Sequence, residues 1–368
     1  MNTTPAPRQV ICPTCLDRFP WDESELLEYS VKEGRYQPID LTGISNPVKR
    51  RDIRSRCYVR CPNPSKDAGE SHYLPVTYVD YEDPLFVALA GRPRSGKTHL
   101  LVALVNQLVN GSASVCGLSA TAVDTRLHAH FKSRLLTPFR RGDQLPGTGD
   151  ELGRYAAWLL IETPQSRRPV VFFDVAGEDF RNVGERGRNT RFLLNAGALM
   201  FVEDITHVVP ESAEQQDIEM EPTLAHGQND RGGNEWITEA LARLDQVNGQ
   251  GKSLPAAVVL TKCDRLRYLP PVDRWIREDC DGRLSARSFL EESRDVYAVL
   301  HRSQATTMTS LYTRFDRCTL HFVSATGVAA RDGTYPGGTQ PARVLQPLIA
   351  LLAMAGVLTG SDADRVGR

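Results

Sequence analysis

Continuous hydrophobicity is scarce in this 368-residue chain. No run reaches the roughly 18 apolar residues of a membrane-spanning helix, and the longest apolar stretch, Leu345 to Leu358, is broken by Gln346, Pro347 and Gly356. The opening residues, Met1 to Cys15, lack the basic flank and apolar core of a secretory signal, so a cytoplasmic location is expected. Excess charge is missing too. With 44 Lys and Arg against 45 Asp and Glu the formal net charge is -1, which excludes a general pull toward nucleic acid or anionic membrane and leaves recognition to local features. Eight cysteines are too few for a disulfide-built fold of this length, and there is no internal repeat or long low-complexity tract.

What is present divides the chain. Residues 1–80 are Pro-rich at the start, polar in the middle and sparse in apolar residues, with Cys12, Cys15, Cys57 and Cys61 as landmarks. From Pro84 the pattern changes to short apolar runs (LFVALA, WLLIE, VVFFD, ALMFV, AAVVL, LHFVS) alternating with helical stretches, as in an α/β sheet. Several runs lack period-two alternation, as expected of strands buried on both faces. Helices are expected after Lys97, around Asp179 to Asn195 and Glu235 to Gln246, through Ser288 to Phe315, and over Val344 to Val357. Residues 207–234 read as a polar insertion in a domain covering 81–360, and 361–368 as a polar tail.

The most informative stretch is Gly91-Arg-Pro-Arg-Ser-Gly96-Lys97-Thr98, a GxxxxGKT phosphate loop between an apolar run and a helical pattern. A polyphosphate is answered by the backbone of Gly91, Arg94, Ser95 and Gly96, a helix N-terminus, the Lys97 ammonium and the Thr98 hydroxyl for Mg²⁺. Three motifs follow. Val170 to Glu178 is an apolar strand ending in DxxG; Asp174 is placed to serve Mg²⁺ and Gly177 to approach a γ-phosphate. Ala256 to Asp264 runs into Thr261-Lys262-Cys263-Asp264. The Asp264 carboxylate can accept from the N1–H and N2–H₂ edge of guanine, a donor pair adenine lacks, while Lys262 covers the purine face and Thr261 ties this loop to the phosphate loop. Leu320 to Gly327 ends in Ser324-Ala325-Thr326, where the Ala325 N–H can meet guanine O6.

These four motifs, in this order over Pro84 to Val357, resemble the Ras-like GTPases of the translation-factor-related P-loop class. With the cysteine-bearing segment in front, the chain looks like the bacterial double-GTPase proteins, predicted partners in conflict or defence systems. The resemblance implies a Ras-like sheet flanked by helices, GTP and GDP as ligands with Mg²⁺, and a switch rather than a metabolic enzyme. It also implies a protein partner, a second GTPase-like chain being the candidate. The chain departs from the pattern in places. TKxD replaces the commoner NKxD, and Pro93 and Arg94 stiffen a bend where small GTPases often carry glycine. Glu178 stands where many members have a water-positioning glutamine; a carboxylate can orient or deprotonate water, but it also repels the γ-phosphate. For the switch I threonine the candidates are Thr125, Thr137 and Thr148, with Thr148 favoured because it sits on a Gly-rich loop before the WLLIE strand. Arg181, Arg186, Arg188 and Arg191 follow in the switch II position, read first as a solvated or partner-facing surface and second as a source of an arginine finger.

The two cysteine pairs, Cys12–Cys15 and Cys57–Cys61, suit four thiolates around a structural Zn²⁺ in a ribbon-like module, with His72 as a replacement ligand. The basic run Lys49, Arg50, Arg51, Arg54 and Arg56 would allow nucleic-acid contact, yet balanced charge and poor aromatic interleaving disfavour it. The expectation is therefore a slow, partner-controlled GTPase. The competing reading is a scaffold in which nucleotide is a structural ligand and the zinc module recruits a partner.

Overall fold

In the computed structural model, the structure describes residues 7–66, 70–145, 157–176, 195–209, 237, 241–242, 245, 251–278 and 284–368. The N-terminal segment holds a two-stranded hairpin, β1 (Gln9–Ile11) and β2 (Arg18–Pro20). A four-stranded antiparallel sheet follows, with β3 (Leu27–Ser30), β4 (Arg35–Pro38), β5 (Tyr58–Arg60) and β6 (Tyr73–Pro75) in the order β4-β3-β5-β6. A short exposed helix, Pro47–Arg54, capped by the Asn46 side chain, joins β4 to β5.

The main sheet has seven strands in the order β13-β12-β11-β7-β10-β9-β8. These are β7 (Leu85–Gly91), β8 (Ser119–Ala122), β9 (Ala157–Glu162), β10 (Arg167–Ala176), β11 (Ala198–Asp204), β12 (Ala256–Thr261) and β13 (Cys318–Phe322). β10, β7, β11, β12 and β13 run parallel, while β9 is antiparallel to β10 and β8 to β9. Every residue of β7, β11, β12 and β13 is buried, which is why their sequences show no alternation: helices cover both faces. Strand order reverses at β7, so the crevice beyond its C-terminal end is the switch point where α/β sheets place ligands.

The helix Lys97–Val109 runs from the end of β7 and ends where Gly111 takes a left-handed φ of 79°. Phe289, Ser293, Val296 and Leu300 form the buried stripe of the helix Ala286–Arg302, which packs on β13. The single helix expected over Ser288 to Phe315 is two, Ala286–Arg302 and Thr306–Arg314. Gln304 adopts a φ of 56° and the Ala305 N–H returns to the Leu300 carbonyl at 2.9 Å, a left-handed cap that ends the first helix. Edge strand β8, polar and alternately exposed, was not anticipated from sequence. Of the helix expected over 179–195 all but Asn195 falls outside the described residues, and so does the insertion expected at 207–234 from residue 210 onward, while His207 and Val208 close the short helix Ile205–Val208. Of the segment around Glu235 to Gln246, Ile237, Leu241, Ala242 and Asp245 are helical. The polar tail is docked: Ala363 and Val366 are buried, and Arg317 donates to the Ala363 and Val366 carbonyls at 2.8 and 2.9 Å.

Behind β13 lies a fully buried ionic knot. Glu292 accepts from Arg343 at 2.8 Å and from the Phe322 N–H at 3.0 Å, and lies 2.9 Å from His321 Nδ1. Burial would push the Glu292 carboxyl up, but His321 and Arg343 together hold it below the usual range. Glu292→Ala leaves the buried Arg343 with only the longer 3.7 Å ion pair to Glu278 and is expected to cost about 3–5 kcal/mol, read by chemical denaturation. A loss under about 1 kcal/mol would show that the knot is not structurally important.

Candidate functional site

The phosphate loop leaves β7 at Gly91 and enters its helix at Lys97. A Cβ at Gly91 would overlap the Val202 carbonyl oxygen, so only glycine lets β7 and β11 converge here. Arg94 and Gly96 both take left-handed φ, 64° and 89°, an alternation that turns successive N–H groups into one concavity. For Arg94 this conformation carries a strain of about 1 kcal/mol. Lys97 is buried and donates to the carbonyls of Gly91 and Arg92 at 2.9 and 2.8 Å, so its ammonium is held across the loop. Ser95 Oγ is buried with no protein hydrogen-bond partner, as in a loop shaped around an anion. Thr98 is buried in the first helical turn, and Asp174 lies near the end of β10 in register with Leu89 of β7.

The base-side motifs converge on the same end of the sheet. Thr261 Oγ1 donates to the Ser95 carbonyl at 2.6 Å, the tie between the two loops that the sequence suggested. Lys262, with φ 56°, donates to the Arg94 carbonyl at 3.0 Å and to Asp204 Oδ2 at 2.6 Å. Asp264 is buried, and its Oδ1 accepts from Ser324 Oγ at 2.5 Å; Ser324 in turn accepts from the Gly327 N–H at 2.9 Å. Ala325 is buried beside it and Thr326 Oγ1 donates to the Val328 carbonyl at 2.9 Å. Gly91, Arg94, Ser95, Gly96, Lys97, Thr98, Thr261, Lys262, Asp264, Ser324, Ala325 and Thr326 are thus gathered at one crevice. Thr148, Gly177, Glu178, Arg181, Arg186, Arg188 and Arg191 lie outside the described residues. Thr125 and Thr137 begin the short helices Thr125–Phe131 and Thr137–Arg141.

Sequence reasoning missed the two acids that end β11. Glu203 and Asp204 are buried; Glu203 pairs with Arg92 at 3.3 Å and Asp204 with Lys262 at 2.6 Å. Burial works against the charged form of Asp204, yet Lys262 and the Thr206 donors hold its carboxyl below the ordinary range. The signal was an acidic pair closing an otherwise apolar strand, ALMFVED.

At the N-terminus, Cys12, Cys15, Cys61 and His72 place their ligand atoms within 4.8 Å of one another, all four residues buried. This corrects the expected set, because Cys57 is not a member. β5 and β6 pair Tyr58 with Pro75 and Arg60 with Tyr73, so the next rung sets Cys61 opposite His72, joined by a Cys61 N–H to His72 carbonyl bond of 2.9 Å. Cys57 sits at the far end of that strand, four residues or about 13 Å away at the extended rise, and its thiol donates to the Ile53 carbonyl at 3.3 Å. Cys12 and Cys15 come from the turn between β1 and β2.

A tetrahedral Zn²⁺ with 2.3 Å bonds to sulfur separates two thiolates by about 3.8 Å. Cys15 and Cys61 are 3.6 Å apart, and Cys12 Sγ is 3.3 Å from His72 Nδ1. The Thr14 and Asn63 N–H groups each donate to the cysteine sulfur two residues earlier at 3.4 Å. Hydrogen bonding to Cys15 and Cys61 pulls the Cys12 thiol below its ordinary value, which favours a thiolate there. The residues fit zinc. His128 and His130 belong to no such cluster among the described residues.

The basic run is largely occupied. Arg54 pairs with Glu23 at 2.6 Å, Arg56 with Asp52 at 2.6 Å, and Arg50 donates to the Ile44 carbonyl at 2.9 Å. Among the described residues no helix is long and apolar enough to cross a membrane.

A family model described as Double-GTPase 2 matches residues 85–311, and the chain belongs to that family of P-loop GTP-binding proteins. No curated relative matches the chain. Among solved structures the chain is similar to the signal recognition particle receptor SRb-GTP/SRX complex from Chaetomium thermophilum, at 14% identity, over 69% of this chain and 95% of that one, with a TM-score of 0.31. It is also similar to the S. cerevisiae Ski7 GTPase-like domain bound to GTP, at 12% identity over 76% of this chain and 51% of that one, TM-score 0.31. Sup35 complexed with GDP matches at 16% identity over 74% and 46%, TM-score 0.28. The chain therefore spans about half the length of the last two.

The cysteine geometry makes a discriminating prediction. Elemental analysis should find about one zinc per chain, lost in Cys61→Ser and His72→Ala and retained in Cys57→Ser. Retention in His72→Ala together with loss in Cys57→Ser would restore the four-cysteine site.

Proposed function

We propose that the chain is a guanine-nucleotide switch that hydrolyses GTP slowly and relies on a protein partner to complete catalysis. The observation that supports it best is the Asp264 carboxylate, buried, oriented by the Ser324 hydroxyl and tied through Thr261 to the phosphate loop. A carboxylate so fixed can accept from both donors of the guanine edge, through Oδ2 and the lone pair of Oδ1 that Ser324 leaves open.

In this reading Lys97 stabilises charge on the β- and γ-phosphates. Thr98 and Asp174 would hold Mg²⁺, which when bound neutralises developing phosphate charge. Lys262 covers the purine and the Ala325 N–H meets its O6. Gly177 senses the γ-phosphate, Thr148 closes from the switch I side, and loss of that phosphate releases both segments. Glu178 places an anion where charge develops, so basal hydrolysis is slow until an arginine from 181–191 or a partner, in keeping with the double-GTPase family a second GTPase-like chain, supplies positive charge. Residues 1–80 form a zinc-ribbon-like module for protein docking, and residues 81–360 the GTPase domain. A conflict or defence role follows from the family resemblance.

Binding and single-turnover assays test this. GTP should outcompete ATP by at least about 100-fold, and Asp264→Asn should shift preference toward xanthine nucleotides, since a carboxamide donates to xanthine O2. Equal GTP and ATP affinities in the parent would sink the base assignment. Lys97→Ala should weaken GTP binding or hydrolysis at least tenfold. Glu178→Gln should keep or raise the basal rate; a brisk parental rate that collapses in Glu178→Gln would make Glu178 the base. Bound GTP that is never hydrolysed, with or without partner, would favour the scaffold.

A further inference from the structure

The segment Val328–Arg343, directly after the Ser324-Ala325-Thr326 motif, makes a chain of contacts that the nucleotide reading does not use. Its C-terminal end folds back onto the base loop: Gln340 N–H donates to the Thr326 carbonyl at 2.8 Å and Ala342 exchanges backbone bonds with Ser324 at 2.8 and 3.1 Å. Gly327 turns with a φ of 81°, and a Cβ there would meet the Gln340 carbonyl oxygen at 2.6 Å, so the loop is pressed against the base motif. Its middle reaches across the crevice. The Tyr335 N–H donates to the Gly142 carbonyl at 2.7 Å, the Gln144 N–H to the Gly333 carbonyl at 2.7 Å, and Tyr335 Oη lies 2.8 Å from Nε2 of His99.

His99 is the residue after Thr98, in the first turn of the phosphate-loop helix. Its ring meets Tyr335 edge-on, centroids 6.0 Å apart at 83°. Burial, with Lys262 nearby, pushes the imidazole down to about 4, and burial, with Asp264 nearby, pushes the phenol up to about 12. The bond therefore joins two uncharged groups at neutral pH. Both flanking charges belong to the base loop, so the pair sits where the phosphate and base halves of the crevice meet.

We propose that the Tyr335–His99 hydrogen bond is a clasp that retains bound guanine nucleotide, with Tyr335 and His99 acting as positioning residues for the loops that hold it. Phosphate and base are gripped by loops on separate strands, so a ligand spanning them leaves when the two halves part. Thr261 and Lys262 tie the halves together on one side, to the Ser95 and Arg94 carbonyls; Tyr335 and His99 tie them on the other. The inference rests on the proposed nucleotide site and names what sets its dwell time.

The test is dissociation of fluorescently labelled GDP from the full zinc-loaded chain, chased with excess unlabelled GDP. Tyr335→Phe removes one oxygen and His99→Ala the opposite partner. Each is expected to speed dissociation roughly tenfold, the cost of leaving one buried hydrogen-bonding group unmet. Association rate and the preference for GDP over ADP should stay as in the parent. The double variant should dissociate no faster than either single one. His99→Gln, whose amide reaches the position of Nε2, should restore most of the parental rate, a rescue that a general packing defect would not show. Parental off-rates in both single variants, or multiplicative effects in the double, would overturn the clasp while leaving the nucleotide site standing. A parent chain that binds no guanine nucleotide would overturn both.

Discussion

The bond from Thr261 Oγ1 to the Ser95 carbonyl, 2.6 Å long and fully buried, is the constraint on which the crevice depends. It links residues 166 positions apart, from the ends of β12 and β7, strands that do not touch because β11 lies between them. Thr261 reaches over that strand, its Oγ1 lying 3.1 Å from the Glu203 carbonyl oxygen. A nucleotide has a fixed distance between base edge and phosphates, and loops on separate strands can match it only if they are tied. Gly96 is part of the same fit, because its absent Cβ would lie 3.4 Å from the Thr261 hydroxyl, at the edge of contact. The spacing therefore comes from side chains at strand ends, while the sheet supplies only their order.

The N-terminal module is less separate than its composition implies. Its buried Val10, Phe19, Trp21, Val59 and Leu74 belong to one hydrophobic cluster with Phe86, Trp158, Phe173 and Phe201 of the main sheet. Arg126 lies over Tyr29 and Tyr36, 5.0 and 5.4 Å from their ring centroids, and donates to the Tyr36 hydroxyl at 3.0 Å. Such cation–π contacts contribute about 0.5–2 kcal/mol each depending on desolvation. A small four-stranded sheet with little interior of its own gains stability from this shared face, with the buried Cys12, Cys15, Cys61 and His72 cluster beside it. Its folding is thereby coupled to the edge of the main sheet at β8 and β9.

Legibility in the sequence followed the range of the forces involved. The six apolar runs became strands because each is short and set between turn or polar residues, which is what separates a strand buried on both faces from a buried helix such as Gln346–Met354. The phosphate loop and TKCD were readable because their chemistry is carried by neighbouring residues. What was missed depended on pairing across the chain. Cys57 looked like a ligand by spacing to Cys61, but spacing along a strand measures length, and closeness is set by register; His72 enters from the opposite rung, where only the β5–β6 pairing puts it. Edge strand β8 has too few apolar residues to announce itself. The break at Gln304 is a backbone choice of a residue that carries no strong preference for it. Glu203 and Asp204 show in the sequence as an acidic pair closing an apolar strand, but what they pair with is legible only once β11 is known to end beside β7.

Those two acids bear on how the crevice treats charge. Three cations, Arg92, Lys97 and Lys262, crowd the loops where a polyphosphate would lie, and unpaired they would repel one another and resist burial. Glu203 holds Arg92, Asp204 holds Lys262, and loop carbonyls hold Lys97. Each cation is thus held in place before a ligand arrives, so that less ordering entropy is lost on binding. The arrangement also sets a limit. Because the acids are buried at the strand end beside Arg92 and Lys262, part of those cations' attraction for phosphate is offset within the protein. The chain's near-zero net charge agrees with this: a site that recruits its anion by local geometry has no need of a basic surface to gather it.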